Sequence, residues 1–311
     1  MGAIWTMGEL LVEIMRKKPD VGFSQCDIFY GPYPSGAPAI FIDTVARLGH
    51  KAGIIGAVGD DDFGSCLQNR LSSDGVDCRY VRRLPGTTGT AFVTYFTDGS
   101  RKYIFHFEKT PAVQARFERM EDVADVSYFH VMGCSLMASE DFKRQIFAAA
   151  EWFRKHGAEI SFDPNIREEL LGTRTLNDVI GPVLDRASIL FPGQKELSLM
   201  SGKRDVESGV ARMFDNPNLK IIVLKRGSKG CTVYTREEKH SIPAYTVVEK
   251  DPTGAGDCFD AGFLCGLAES RDHVESAKIA SAVGAINAAA FGPMEGRISR
   301  KAVARMVGFR L

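Results

Sequence analysis

The feature that most restricts the fold of this chain is a repeated alternation of short apolar runs with helical hydrophobic periods. Residues 51–58 read as a buried strand, preceded by a helix near 37–48. That helix carries Phe41, Val45 and Leu48 on one face, and Gly49 is its C-terminal stop. Residues 139–156 read as a second helix, with Ser139 as N-cap, Glu140 and Asp141 in the first turn, and Gly157 at its end. Ile160 to Phe162, Ser188 to Phe191 and Ile221 to Leu224 are short strands, each separated from the next by enough chain for a helix. This rhythm predicts an α/β fold built on a mainly parallel sheet.

Two stretches break the rhythm. Residues 14–35 are polar, aromatic and Pro-rich, without a helical period. Residues 87–110 alternate like strands around Asp98-Gly99, a good hairpin turn pair. Together they form either edge strands of the main sheet or a small antiparallel sheet beside it, serving as a lid.

Acidic and basic residues balance at 39 each, so the chain lacks the excess positive charge that phosphate backbones require. No nucleic-acid partner is expected. No apolar run approaches the roughly 20 residues needed to cross a bilayer, and the opening segment, with Glu9 and Glu13 inside it, reads as a first strand rather than a signal peptide. The 7 cysteines are scattered without a Cys-x-x-Cys pair, which argues against zinc and for a reducing cytoplasm.

The strongest chemical signal is Asp251-Pro-Thr-Gly-Ala-Gly-Asp257. Pro252 and the glycines disfavour helix before about residue 254, and a helical period with Phe259 and Phe263 follows. Gly254, Ala255 and Gly256 therefore lie at a helix N-terminus, where free N–H groups and the helix dipole favour an anion. Asp257 in such a loop is either a helix-start acid or a general base that takes a proton from a hydroxyl attacking phosphate.

At these residues the chain resembles the ribokinase-like (PfkB) carbohydrate kinases, whose C-terminal signature is written D-T-x-G-A-G-D. Further segments resemble the family in order along nearly the whole chain. Met7-Gly-Glu-Leu-Leu-Val-Glu13 is similar to its first strand. Ser35-Gly-Ala-Pro-Ala39, followed by Ala46-Arg-Leu-Gly49, resembles its G-G-A-P-A-N signature. Val58-Gly-Asp-Asp-Asp-Phe-Gly64 resembles a V-G-x-D-x-F-G turn, Phe162-Asp-Pro-Asn-Ile-Arg167 a D-x-N-x-R segment, and Lys225-Arg-Gly-Ser-Lys-Gly230 a K-x-G-x-x-G nucleotide loop.

The resemblance implies a three-layer α/β/α core from 1–13, 36–86 and 111–311, with a β lid from 14–35 and 87–110. It implies ATP, Mg²⁺ and a K⁺-type monovalent cation. Asp257 is then the base, and Gly254, Ala255 and Gly256 form the anion hole. Asn165 and the run Lys225, Arg226, Gly227, Ser228, Lys229 and Gly230 bind nucleotide. Glu13, Gly36, Ala37, Phe105, Arg167 and Asp251 face sugar or phosphate, and Glu196 serves the metal. The motif wording is most similar to fructose- and tagatose-type kinases, with 2-keto-3-deoxygluconate, ribose and nucleosides as alternative acceptors and a non-catalytic sensor as a further reading. The aromatic lid implies a homodimer joined through it.

The chain departs from the family pattern at Ile40 and Gly193, where Asn is usual, and at Ser281 in the penultimate helix. His106 reads as a solvent-facing strand residue or a sugar contact. Cys258 reads as helix packing. Asp60, Asp61 and Asp62 read as a turn and cap rather than a calcium loop.

Overall fold

A computed structural model describes residues 2–311. In chain order the strands are β1 (Ala3–Met7), β2 (Leu11–Arg16), β3 (Phe29–Ser35), β4 (Ala52–Gly59), β5 (Asp77–Leu84), β6 (Gly89–Tyr95), β7 (Arg101–His106), β8 (Val126–Met132), β9 (Glu159–Asp163), β10 (Ile189–Leu190), β11 (Ile221–Lys225), β12 (Cys231–Tyr234) and β13 (Lys239–Ile242). Nine of them form one sheet in the order β13-β12-β11-β10-β9-β8-β1-β4-β5. Every pairing from β11 across to β5 is parallel, and β12 and β13 add an antiparallel edge. The expected strands at 51–58, 160–162, 188–191 and 221–224 are β4, β9, β10 and β11.

Parallel strands need long crossovers, and helices supply them on both faces. Neighbouring residues of a strand therefore feed opposite cores. Ile4, Ile54 and Val223 pack with helices Ala37–Arg47, Ala255–Ala268 and His273–Ala288. Trp5, Ile55 and Phe129 pack on the other side with helix Glu140–Lys155. That helix starts where expected, because the Ser139 side chain accepts from Phe142 N–H at 3.1 Å. Phe142, Ile146, Ala149 and Phe153 make its buried stripe. Phe153 stacks on Phe129 at 4.5 Å between ring centroids, and each such buried ring stabilises the fold by roughly 1.5–3 kcal/mol.

The other sheet, β3-β2-β6-β7, stands apart from the core. It is mixed rather than purely antiparallel. β2 and β6 lie side by side in parallel, each flanked by an antiparallel partner. The reason is connectivity: both strands leave the core and run outward. The first core strand also stops at Met7, so Glu13 lies on β2, within the small sheet, not at the end of the first strand. The Asp98-Gly99 turn closes β6 on β7. Asp98 accepts from Ser100 N–H at 2.8 Å, and Gly99 N–H reaches Phe96 O at 2.9 Å.

Candidate active site

The parallel strands deliver their carboxyl ends to one rim, where ligands of α/β sheets are held. β1 leads to Glu9, β8 to Gly133 and Cys134, β9 ends at Asp163 and β11 at Lys225. The inner face of the small sheet covers this rim with Glu13, Arg101, Tyr103 and Phe105. The cleft between them has a volume of about 220 Å³ and also holds Gly36, Ala37, Ile40, Asn165, Arg167 and Asp257. A second cleft of about 430 Å³ adjoins it. Lys225, Gly227, Ser228, Gly230, Tyr245, Val247, Ala255, Phe259 and Ser281 are among the residues that line it. Lys225, Pro252 and Gly256 belong to both. The second cleft draws on one stretch of chain, 225–288, whereas the first draws on segments from Glu9 to Asp257.

The wall between the clefts is the start of helix Ala255–Ala268. Gly254 stands before it with φ 76, and a Cβ there would lie 2.4 Å from Pro293 O, so only glycine fits. Ala255 N–H turns back to Pro252 O, and Cys258 N–H begins the helical bonds at Gly254 O. The N–H groups of Gly256 and Asp257 have no partner among the described residues. Two free donors on a helix dipole make an anion site. Asn287 braces the loop from behind, donating to Thr253 O at 2.9 Å and Pro293 O at 3.1 Å.

Asp257 lies in the first turn of this helix, buried, with its carboxylate in the first cleft. Burial, with the charge of Asp163 second, pushes its pKa up to about 7. Asn165 Nδ2 donates to Asp257 Oδ1 at 3.3 Å. Asn165 holds φ 35, in the left-handed region that Asn tolerates better than most residues, and Asp163 Oδ1 accepts from its N–H at 3.0 Å. Asn165, expected to face sugar or phosphate and to serve the nucleotide, lines the first cleft beside the base.

Two glutamates stand opposite. Glu13 accepts from Ser35 Oγ at 2.8 Å, while its other oxygen is buried without a partner, and burial pushes its pKa up to about 7. Glu9, which sequence reasoning did not place in the site, accepts from the Ser135 hydroxyl and the Cys134 thiol, and burial raises its pKa too. Two arginines complete the ring. Arg167 and Arg101 both line the cleft, and neither forms an ion pair among the described residues.

Three expected residues are placed differently. Asp251 is fully buried and lines neither cleft. Its Oδ1 accepts from Thr253 N–H and Tyr95 OH, each at 3.0 Å, and its Oδ2 accepts from Gly292 N–H at 2.9 Å. It ties the lid to the anion loop. Arg226 turns away to Cys231 O at 3.2 Å, and Lys229 also lies outside both clefts. His106 is exposed on the outer lid face. Asp61 caps helix Asp62–Ser73 by accepting from Gly64 N–H, and Cys258 is buried against Thr44.

No group of three or more His, Cys, Asp or Glu side chains is placed to hold a metal among the described residues. Magnesium does not require one, because it keeps waters and rests on one or two carboxylates plus substrate phosphates. Glu196 fits that need. It lines the first cleft, steadied by N–H groups of Gly193 at 2.7 Å and Ile166 at 2.9 Å, and retains free lone pairs. Gly193, as N-cap of helix Gln194–Ser201, offers no side-chain acceptor, at a cost of roughly a few tenths of a kcal/mol, while its own N–H is satisfied by Glu196. A monovalent cation fits Asp251, a buried carboxylate with no ion-pair partner among the described residues.

The profile of the pfkB family carbohydrate kinases matches residues 31–299. Fructokinase of Klebsiella pneumoniae is 34% identical over 271 residues, covering 86% of this chain and 85% of its own length. Fructokinase-1 of Oryza sativa is 32% identical, covering 91% and 90%. Among solved structures, a protein from E. coli described as a ribokinase II, in complex with ATP and Mg²⁺, superposes with TM-score 0.90 at 37% identity and 99% coverage of both chains. Fructokinase of Vibrio cholerae with fructose, ADP and calcium superposes with TM-score 0.84 at 26% identity, again covering 99% of each. On this match the chain belongs to the pfkB family of carbohydrate kinases.

Proposed function

We propose that this protein transfers the γ-phosphoryl group of ATP to a primary hydroxyl of a ketohexose such as fructose, with Asp257 as general base. The observation that carries the reading is the position of Asp257. Its carboxylate faces a polar cleft, while the N–H groups beside it face the boundary with a second, largely apolar cleft. A sugar in the first cleft and a nucleotide in the second meet at this helix N-terminus.

The chain's residues then divide the work. Glu13 and Glu9 contact sugar hydroxyls, Glu13 through its unpartnered oxygen, and Tyr103 and Phe105 close over the ring. Asp257 takes the proton of the hydroxyl that attacks, and Asn165 holds the carboxylate in line. The Gly256 and Asp257 N–H groups receive the charge that develops on the phosphoryl oxygens. Arg167 adds its unpaired guanidinium. Mg²⁺, when bound, would neutralise phosphate charge, and Glu196 is the residue that would help hold it. Asp251 would hold a monovalent cation if one binds, and the apolar walls at Tyr245, Val247 and Phe259 take the base of the nucleotide.

One observation favours a second acceptor. Arg101 and Arg167 both reach the first cleft unpaired, and two guanidinium groups suit a carboxylate, as in 2-keto-3-deoxygluconate. A coupled ADP assay over ketohexoses, ribose, nucleosides and 2-keto-3-deoxygluconate should show turnover with fructose or a close ketohexose. Turnover of the acid sugar alone replaces the first reading with the second. Absence of ADP formation with every acceptor tried, alongside measurable ligand binding, leaves only a sensor.

The same reading includes a homodimer through the lids. The outer lid face carries Phe92 and Ile104, the latter 38% exposed, and Ile28, just before β3 of the same small sheet, is 66% exposed. Apolar patches of this kind mark interfaces. Light scattering at micromolar concentration should give twice the 34.1 kDa chain mass, and a monomer removes the proposal. No helix is long and apolar enough to cross a membrane among the described residues. All the cysteines are free thiols, which suits the cytoplasm as the site of action.

A further inference from the structure

Lys225 is the one charged side chain that lines both clefts among the described residues. It ends β11, and its ammonium is held from two sides. Asp163 Oδ2 accepts at 2.7 Å, and the Asp260 oxygens accept at 3.2 and 3.3 Å. Both acids are buried, Asp260 completely. Nζ also lies 3.8 Å from where a Cβ on Gly256 would stand. An ammonium and a helix N-terminus with free N–H groups thus sit side by side, two positive ends with a gap suited to an anion. Asp260 follows Asp257 by three residues, which puts both on one face of the helix. The helix that presents the base therefore also grips the lysine.

We propose that Asp260 is a positioning residue that holds Lys225 across the junction of the two clefts, so that one ammonium meets the phosphoryl group on its way from donor to acceptor. The inference rests on the kinase reading above. In the transfer, the bond between the γ-phosphorus and the bridging oxygen of ADP breaks. The bond from the acceptor oxygen to that phosphorus forms, the acceptor proton passes to Asp257, and Lys225 keeps its protons throughout. A lysine on its flexible stem would otherwise sample many positions, and the paired carboxyls fix it.

The charges of the cluster agree with such a role. Burial pushes Asp260 well above the ordinary carboxylate range, against the pull of Lys225 and with the Asp163 charge adding to the rise. Burial also opposes the charge of Asp163, but Lys225 and the hydrogen bond from Asp260 outweigh it and hold Asp163 below its usual value. Asp260 is then the proton carrier of the pair and Asp163 the counter-ion of Lys225. A side chain that works as a neutral carboxylic acid is replaced by Asn with little loss.

The test compares Asp260→Asn, Asp260→Ala, Lys225→Met and the double variant Lys225→Met/Asp260→Ala. The readouts are kcat and KM with ATP and the best acceptor of the sugar panel, and ADP binding by calorimetry. Asp260→Asn should keep kcat within about threefold of the parent. Asp260→Ala should lose about 10–100-fold in kcat, the range for one charge-assisted hydrogen bond, with the acceptor KM within about threefold. Lys225→Met should lose about 10²–10³-fold, and the double variant should be no worse than Lys225→Met alone. If Asp260→Ala does not fold, as ADP binding will reveal, Asp260→Ser takes its place with the same expectation. A parent-like kcat in Asp260→Ala or Asp260→Ser overturns the inference, and so does an equal loss in Asp260→Asn. An inactive parent protein sinks the kinase reading itself, which keeps the two failures apart.

Discussion

Asp257→Asn should lower kcat by roughly 10²–10⁴-fold, the range expected for loss of a general base, and leave the KM for ATP nearly unchanged. Asn has almost the same shape and is a good helix-start residue, so the free N–H groups of the loop survive. The loss therefore falls on kcat. The parent enzyme should also show a rate that rises with pH and levels off above about 7, since burial raises the Asp257 pKa to about that value and only the ionised form accepts a proton. The variant should lack that limb. Stability separates this from a merely structural role. A carboxyl whose pKa is raised in the folded protein contributes stability that is complete below its unfolded value and is lost as pH rises through about 7. At pH 8 the Asn variant should melt no lower than the parent. A helix-start acid without a catalytic role predicts the reverse pattern, with about 1 kcal/mol of stability lost and kcat retained.

Gly133→Ala should be the most disruptive small substitution near the site. Gly133 opens the short helix Gly133–Ala138 after β8, and a Cβ on it would stand 1.9 Å from Pro164 O and 2.7 Å from Pro164 C. Both obstacles are backbone, so no rotamer change relieves the clash. The segment Asp163–Arg167 must move, and it carries Asp163, Asn165 and Arg167 together. We expect a loss of about 3 kcal/mol in urea unfolding, at the upper end for overpacking. We also expect a fall of about 10²-fold in kcat at a temperature where the variant is folded, because displacement of about 1 Å costs that much. Gly22→Ala is the control, since nothing lies within 4 Å of its would-be Cβ. Equal stability of the two variants would show that the Pro164 contact does not fix the loop.

How far the sequence reveals this protein depends on the range of the interaction that places each residue. Helices Ala37–Arg47 and Glu140–Lys155, β4, and the anion loop are set by local signals: an apolar stripe, an N-cap, a glycine before a helix. They lie where the sequence reading puts them. The parallel pairing of β2 with β6 is not a local property, because it joins strands separated by about 75 residues of chain. Asp251 shows another limit. Its place in the signature suggested a substrate contact, yet its oxygens accept from Tyr95, Thr253 and Gly292, and no spacing rule names Tyr95 or Gly292 as partners. Glu9 was legible only as an acid inside an apolar run. The turn at Gly8 that lifts it to the rim becomes visible only when β1 is seen to stop at Met7. Asp260 carried a readable clue, its three-residue spacing from Asp257, but the clue gains meaning only beside Lys225, a strand away.

The two clefts differ in how the chain supplies them, and that difference bears on how such a protein diverges. The second cleft, proposed above for the nucleotide, comes from a single run, 225–288. A duplication or exchange of that segment would carry the whole donor specificity with it. The first cleft, proposed above for the sugar, is assembled from pieces far apart in the gene, from Glu9 through the lid to Asp257, so no single exchange can transplant it. Its recognition properties must change one codon at a time. Lid positions such as Tyr103 and Phe105 are the freest to vary, because they line the first cleft without a bond to the anion loop, whereas Arg101 donates to Thr253 Oγ1 of that loop at 3.4 Å. Lineages built on this plan should therefore share their phosphoryl donor and scatter in the acceptors they use.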